Sequence, residues 1–468
     1  MTLPEEFIKY TRELMGDSRF ESLVAGLTDA APVSIRLNPL KCDVANTVIT
    51  GKKGDVAWCP TGVYLNERPN FTFDPLLHAG AYYVQEASSM FVAHVLRQTV
   101  TGSVRMLDLC AAPGGKSTAC RTFLPEGSLL VSNEPVRTRA NILSENMQKF
   151  GHPDVIVTNN YPRDFRKSGL MFDVILADVP CSGEGMFRKD EGAISEWSVQ
   201  NVENCRRLQR EIVSDIWPCL KPGGLMIYST CTFNAHEDEE NAVWIAEELG
   251  ADFVEIAVSP EWNITGPLVG DNPSYRFLPG TSEGEGLFMT VLRKHGQHDT
   301  PAKASANKKQ NRKTDKAVSL PLTGSDDFET RERGDRLVAI PKEWADVYDA
   351  TAKGLNVIHA GITIGTRKGK DIVPDQSLAL STRLDRNRFA SVDIDYTQAI
   401  NFLRKEAVPL PDGTPKGFVL LTYKGMPLGF EKNIGNRANN LYPQEWKIKS
   451  QHIPEQNEII IKRNETIS

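Results

Sequence analysis

The sequence predicts an α/β protein whose central part is a mostly parallel sheet with helices on both faces. Two observations carry this. A strand-then-helix rhythm repeats between Val104 and Arg293, and regular alternation of that kind builds a parallel sheet with both faces covered. A glycine-rich run, Asp108 to Thr118, falls between the first strand of that rhythm and a helix. With 468 residues, 40% hydrophobic and 24% charged, the chain has the composition of an ordinary globular protein of several domains.

In chain order, Phe7, Ile8, Leu14, Met15, Leu23, Val24 and Leu27 recur at spacings near three and four, which predicts helix with a break near Gly16. Residues 33–37 alternate with period two and stop at Asn38-Pro39, a short strand that opens a small α/β segment reaching roughly residue 95. Strands are then expected at 104–109, 128–133, 154–158, 173–177 and 224–229, with helices at 137–150, 199–220 and 237–249. The run 297–323, with Lys303, Lys308, Lys309, Arg312, Lys313 and Lys316, reads as a linker or basic surface loop. Beyond it a helix is expected at 344–354, strands at 357–365 and 417–423, and a mixture over 378–402, which makes one or two small α+β modules. There is no internal repeat.

The N-terminus, MTLPEEFIKY, lacks the basic flank and apolar run of a secretory signal. The apolar stretches are far shorter than the roughly 20 residues that span a bilayer. The eight cysteines contain no CxxC pair, so neither a zinc site nor a disulfide framework is expected, and no metal is called for. Net charge is −6, but residues 1–295 carry 27 basic and 38 acidic groups while 296–468 carry 27 and 22. A basic C-terminal part fits an anionic partner such as nucleic acid, or a merely solvated surface.

The chemistry-bearing residues sit where strands end, and ligands of such sheets bind at the carboxyl ends of strands. In the run Asp108-Leu109-Cys110-Ala111-Ala112-Pro113-Gly114-Gly115-Lys116-Ser117-Thr118 the glycines allow close approach of backbone to a ligand. A P-loop would need glycine where Cys110 stands, and Pro113 removes a backbone donor, so an ATP site is the weaker alternative. Glu134, after the next strand, is placed to accept hydrogen bonds from ribose hydroxyls. A nucleoside cofactor without pyrophosphate fits best. Asp178-Val179-Pro180-Cys181-Ser182-Gly183 and Ser229-Thr230-Cys231-Thr232 follow two further strands. One cysteine after a buried strand is usually a small hydrophobe. Two at equivalent places beside Asp178 point to thiolate attack on an electrophilic carbon.

Three long runs, CAAPGGKS, DVPCSGEGMFRKD and YSTCTFNAHEDEENAVW, occur in an order that resembles the Nol/Nop/Sun family of RNA cytosine-5 methyltransferases. The resemblance extends to SIRLNPLK near residue 34 and to Tyr82-Tyr83-Val84-Gln85-Glu86-Ala87-Ser88-Ser89. The tail GFEKNIGNRANNLYPQEW is similar to the C-terminal module, related to the PUA fold, of RsmF-like bacterial rRNA methyltransferases. The resemblance implies a Rossmann-like methyltransferase domain over 101–295, a helical and small α/β RNA-binding segment over 1–100, and a basic linker over 296–323. It further implies an intermediate α+β module over 324–405 and a PUA-like RNA-binding module over 406–468.

It also implies S-adenosyl-L-methionine as cofactor, held by Cys110, Ala111, Ala112, Pro113, Gly114, Gly115 and Lys116 together with Glu134 and Asp178. The nucleophile that adds to carbon 6 of cytosine matches Cys231. Cys181 matches the cysteine implicated in release, Asp178 would hold the base edge, and Lys116 lies in the same pocket. Where such proteins carry an acidic residue after the third strand, for the adenine end of the cofactor, this chain reads Thr158-Asn159-Asn160-Tyr161-Pro162. Asn160 or Tyr161 could take that contact.

The expected substrate is structured RNA, foremost rRNA of the small ribosomal subunit or the subunit itself, in the bacterial cytoplasm, with the protein a monomer and no membrane partner. Arg367-Lys368-Gly369-Lys370 and Lys432-Asn433-Ile434-Gly435-Asn436-Arg437 would bind RNA phosphates or be solvated loops. Two other readings are a tRNA cytosine-5 methyltransferase and an RNA-binding ribosome assembly factor with little or no catalysis. A DNA cytosine methyltransferase fits less well, since the separate Ser-Thr-Cys element and the C-terminal module are outside that pattern.

Overall fold

A computed structural model describes residues 1–296, 319–369, 371–450 and 459–463. The basic run with Lys303, Lys308, Lys309, Arg312, Lys313 and Lys316, and also Lys370, lie outside the described residues.

At the centre is a nine-stranded sheet. Its five parallel strands are Leu220–Thr230, Phe172–Asp178, Arg105–Asp108, Leu129–Asn133 and Val155–Thr158, side by side in that order. Numbered along the chain, the order is 5-4-1-2-3, and the direction of winding reverses between strands 1 and 4. That is the doubly wound arrangement, and the crevice outside the strand ends at the reversal is where it takes ligands. All five strands are almost wholly buried, as double coverage by helices requires. Core clusters on the two faces include Met106, Leu130 and Ile227 on one and Leu107, Val131, Ile175 and Tyr228 on the other.

Element boundaries differ from expectation in instructive places. The helix expected to reach residue 220 ends at Ile216, because Pro218 cannot donate to the ladder; a short 3-10 turn, Trp217–Cys219, leads directly into the long strand Leu220–Thr230. The helix expected from residue 237 begins at Glu239. The span 357–365 is two strands, Val357–Ala360 and Ile362–Lys368. Gly361 divides them with φ +56°, and a Cβ there would sit 2.2 Å from the Ala339 carbonyl oxygen. Antiparallel strands Ala251–Phe253, Leu287–Lys294 and Tyr275–Phe277 complete one side of the sheet. On the other edge Val157 and its neighbours pair antiparallel with Val357–Ala360.

The N-terminal helices Glu5–Met15 and Asp17–Thr28 break at Gly16, φ +77°. Phe7, fully buried, meets Phe187 and Trp197 edge to face at 5.2 and 5.5 Å, so these helices pack on the segment that follows Cys181. Arg188 in that segment donates to the Gly26 and Gly284 carbonyls and to Glu285. A four-stranded antiparallel sheet formed by Lys52–Asp55, Gly62–Leu65, Val33–Leu37 and Tyr82–Val84 comes next. At the other end of the chain, Phe328–Arg333, Arg336–Pro341, Ile362–Lys368 and Asp371–Pro374 form one small sheet. Ala390–Asp393, Gly417–Tyr423, Met426–Asn433 and Ala438–Asn440 form a second. The last of these sheets shares a core with the N-terminal sheet, in which Ile35, Val63 and Phe73 meet Phe402, Val419 and Tyr442.

Candidate active site

The site is assembled from the carboxyl ends of four neighbouring strands. Strand Arg105–Asp108 delivers the loop to Gly114, whose φ of +115° favours glycine. A Cβ on the next residue, Gly115, would lie 3.3 Å from Tyr83. Helix Gly115–Phe123 starts there, so its free N–H groups face the loop. Ala111 N–H donates to the Asn133 carbonyl at 2.8 Å, and the carbonyls of Ala112 and Pro113 accept from Arg139 and Asn146. Cys110 is therefore framed by acids: burial first, then Asp178, Asp108 and Glu134, pushes its thiol well up. A thiol raised in this way stays protonated at neutral pH, which disfavours it as a nucleophile.

Glu134, 1% exposed, accepts Val136 N–H through Oε1 at 2.9 Å. Its Oε2 is buried without a hydrogen-bond donor, with only Arg139 3.6 Å away. Asp108 Oδ1 is likewise unsatisfied, while Oδ2 accepts from Ser117 at 2.6 Å. Burial lifts the Asp108 carboxyl to about 7. Buried acceptors without donors ask for a ligand that brings hydroxyl or amino groups. A nucleoside with a free ribose and a cationic or amine-bearing tail meets that requirement, so the residues present fit the expected cofactor.

Asp178 closes strand Phe172–Asp178 and is held on both oxygens: Lys116 donates to Oδ2 at 2.9 Å and Ser229 to Oδ1 at 2.7 Å. Burial works against the Lys116 ammonium, but Asp178 outweighs it and keeps the pKa raised. Cys181 and Cys231, 50 residues apart, bring their sulfurs to 3.1 Å. The hydrogen-bond contact with Cys181 draws Cys231 below the ordinary cysteine range, opposed by burial and Asp178 and assisted by Lys116. The same contact, with burial, pushes Cys181 well up. Of two chemically identical side chains, Cys231 is drawn toward the thiolate and Cys181 away from it.

Below the cysteines lies a network that sequence reasoning did not assign. Glu184 accepts from Trp197, from the backbone of Phe233 and Asn234, and from the Asn234 amide. Glu237 accepts from Ser182 N–H, Gln209 and Asn234. Burial, then the Glu184 charge, lifts Glu237 to about 7. Gly185 N–H donates to the Cys231 carbonyl at 2.8 Å, and a Cβ on Gly185 would sit 2.8 Å from that oxygen. The signal was present, since Glu184, Asn234 and Glu237 lie within the same runs as the cysteines, but their joint position depends on long-range folding.

All the expected site residues meet at these strand ends. Asn160 does not face the cofactor loop freely: its amide oxygen accepts Asn356 N–H at 3.1 Å and its amide nitrogen donates to the Asn356 carbonyl. Tyr161 is 58% exposed. The two basic clusters stand elsewhere. Arg367 is engaged by Glu332, and Lys432 lies over the Phe418 ring at 5.3 Å, with 434–437 exposed. Among the described residues, no group of acids, histidines and cysteines could hold a metal ion, and no helix is long and apolar enough to cross a membrane.

The chain also matches known proteins along most of its length. The family model described as "16S rRNA methyltransferase RsmB/F" matches residues 97–293. The model described as "N-terminal domain of 16S rRNA methyltransferase RsmF" matches 3–87, and "Methyltransferase RsmF PUA domain" matches 389–448. Ribosomal RNA small subunit methyltransferase F of Serratia proteamaculans is 30% identical, covering 95% of this chain and 96% of that protein. The protein of the same name from Photobacterium profundum is 27% identical over 95% and 97%. Among solved structures, NSun6 from Pyrococcus horikoshii matches with a TM-score of 0.53 at 18% identity, covering 63% of this chain and 99% of that one. A methyltransferase homologue from the same organism gives 0.53 at 23% identity over 62% and 95%. At those identities the likeness establishes the Rossmann-like methyltransferase fold, and the family match places a PUA domain at the C-terminal end.

Proposed function

The chain belongs to the family of ribosomal RNA small subunit methyltransferase F, and from that premise we propose that it methylates carbon 5 of cytosine in small-subunit rRNA, using S-adenosyl-L-methionine, through a covalent Cys231 adduct. The observation that carries the mechanism is the sulfur pair at 3.1 Å, brought together after two neighbouring parallel strands. When bound, the cofactor supplies an electrophilic methyl group. Glu134 would accept its ribose hydroxyls, and the loop Cys110, Ala111, Ala112, Pro113, Gly114, Gly115 and Lys116 would line the rest of it, next to Asp178.

Carbon 5 of cytosine is a weak nucleophile. The Cys231 thiolate adds to carbon 6, breaking the 5,6 double bond and placing electron density on carbon 5. Asp178, fixed by Lys116 and Ser229, would meet the ring-nitrogen edge of the base as charge develops there. Once carbon 5 carries the methyl group, its remaining proton is lost to a base, the electron pair re-forms the double bond, and the Cys231–carbon 6 bond breaks. Cys181 adjoins the leaving sulfur and serves this release step. The PUA domain and the exposed segment 434–437 support RNA as the partner.

The test is incubation with methyl-labelled cofactor and small-subunit rRNA, free and within subunits, with mapping of 5-methylcytosine. Cys231→Ala should abolish transfer, and Cys181→Ala should accumulate a denaturant-resistant protein–RNA adduct. Equal loss in both variants with no adduct would refute the division of roles. Label on tRNA and none on rRNA would move the substrate.

A further inference from the structure

Arg36 is a buried cation that the mechanism does not use. Only 1% of it is exposed, and it lies on strand Val33–Leu37 of the N-terminal sheet. Its three hydrogen-bond partners are neutral: Gln85 at 2.8 Å from Nε, Thr122 at 3.0 Å from Nη1 and Thr118 at 2.6 Å from Nη2. Among the described residues no carboxylate forms an ion pair with it. Burial lowers its pKa only to about 10, so it is charged at neutral pH. A buried charge without a counter-charge is costly, and two of the five guanidinium N–H donors are left over.

Arg36 lines a cavity of about 210 Å³, with Asn38, Tyr83, Asn146, Lys149 and Phe150 among its walls. One water needs about 10–15 Å³ on the same measure, so the space is several times larger than a single bridging water requires. Lys149 is already paired with Glu145 at 2.6 Å, whereas among the described residues Arg36 has no counter-charge and meets only the Phe150 ring, 6.0 Å from its guanidinium carbon, beside its neutral hydrogen-bond partners. Aromatic walls at Tyr83 and Phe150 suit the sugar or base attached to an anion. The walls are firmly set: Asn38 donates to the Gly80 and Phe150 carbonyls, and Lys41 donates to those of Ala79 and Lys149. The cavity also touches the cofactor loop. Thr118, which accepts from Arg36, donates to the Gly114 carbonyl, and Asn146 donates to that of Pro113.

We propose that this cavity is a nucleotide-phosphate site in which Arg36 holds the phosphate and Tyr83 and Phe150 flank the attached group. The phosphate comes from the RNA backbone or from a free nucleotide. The proposal rests on the rRNA reading only for the first source.

Thermal unfolding of the full chain tests the shared chemistry, with inorganic phosphate titrated against chloride at equal ionic strength. The wild type should show an upward, saturable shift of its midpoint. Arg36→Gln should lose it and Arg36→Lys should keep part of it. Asn146→Asp leaves Arg36 in place but puts a carboxylate on the cavity wall, and it should lose the shift too. It keeps the test open if Arg36→Gln fails to fold. The second arm is RNA affinity as a function of salt. A slope of log K against log salt shallower by about 1 in Arg36→Gln or Asn146→Asp assigns the phosphate to the RNA backbone. An unchanged slope with a lost phosphate shift assigns it to a free nucleotide. Wild type and variants behaving alike in both arms overturns the proposal. Neither arm requires methyl transfer, so the site and the catalytic reading can fail separately.

Discussion

The decisive residue-scale fact is the unequal pair Cys181 and Cys231. Both follow buried strands, both adjoin acidic groups, and burial alone would raise both thiols. The inequality comes first from one hydrogen bond, with Lys116 adding its charge on the Cys231 side. The proposed adduct needs the Cys231 thiolate, so its rate of formation should rise with pH and level off above the Cys231 pKa. Taking the donor away raises that pKa. In Cys181→Ala the half-maximal pH of adduct formation should therefore lie above that of Cys181→Ser, whose hydroxyl can still donate. Rapid-quench measurement of trapped RNA across pH reads this directly, and coincident midpoints would show that Cys181 does not tune its neighbour. Glu237 has the opposite kind of displacement. Its carboxyl rises from the ordinary 4.5 to about 7 by burial first. A raised folded-state pKa gives stability that is full below about 4.5 and lost as pH climbs through about 7. Glu237→Gln has no such carboxyl to ionise. Denaturant unfolding between pH 4.5 and 7 should show a flatter decline for the variant than for the wild type; parallel curves would mean the carboxyl is ionised throughout.

At the scale of elements, two loops carry the cysteines, and Gly185 sets how closely they approach. In Gly185→Ala the new Cβ meets the Cys231 carbonyl oxygen, which is backbone and cannot swing aside. Separating the loops by a fraction of an ångström to 1 Å should cut methyl transfer by up to roughly 100-fold. Thermal stability should fall far less, because the strands beneath stay packed. A transfer rate within twofold of wild type would show that the loops are free to shift. This loop geometry also marks the limit of what the sequence reveals. The parallel strands and the motifs after them were legible because period, punctuation and chemistry coincide within a dozen residues. Leu287–Lys294 was not expected as a separate strand, because its buried run LFMTVL carries no alternation and the central strand it joins, Leu220–Thr230, is far away in sequence. The end of the helix before Leu220 was misplaced although Pro218 was in view. The residues 357–365 read as strand, but nothing local shows that Gly361 splits them and sends the first half to the edge strand Val155–Thr158. The same holds for Asn160, whose amide is taken by Asn356 from about 200 residues away.

Across the whole molecule the two ends of the chain stabilise each other and the catalytic sheet between them. Strand Ile461–Arg463 pairs with Thr47–Ile49, Ile460 N–H donates to buried Asp74, and the Tyr396 hydroxyl donates to the Phe73 carbonyl. Val357–Ala360 is hydrogen-bonded into the edge of the central sheet. A contact set that crosses every sequence boundary makes cooperative unfolding the expectation, with no independently melting C-terminal part. Phe402 tests this. It is fully buried in the core shared by Ile35, Val63, Val419 and Tyr442, and its ring meets Tyr442 edge to face at 5.4 Å. Truncation to alanine should cost about 3–5 kcal/mol through lost burial and the cavity left behind. In a cooperative molecule that loss lowers one calorimetric transition as a unit. The fluorescence of Trp58 and Trp262, packed together at 6.2 Å near the catalytic sheet, should then shift its midpoint in step with that of Trp446, which meets Tyr442 at 6.3 Å. If Phe402→Ala instead splits the transition and moves only the Trp446 signal, the C-terminal part unfolds alone. The shared core would then be a docking contact between separately stable units, and the C-terminal module would be free to move relative to Cys181 and Cys231.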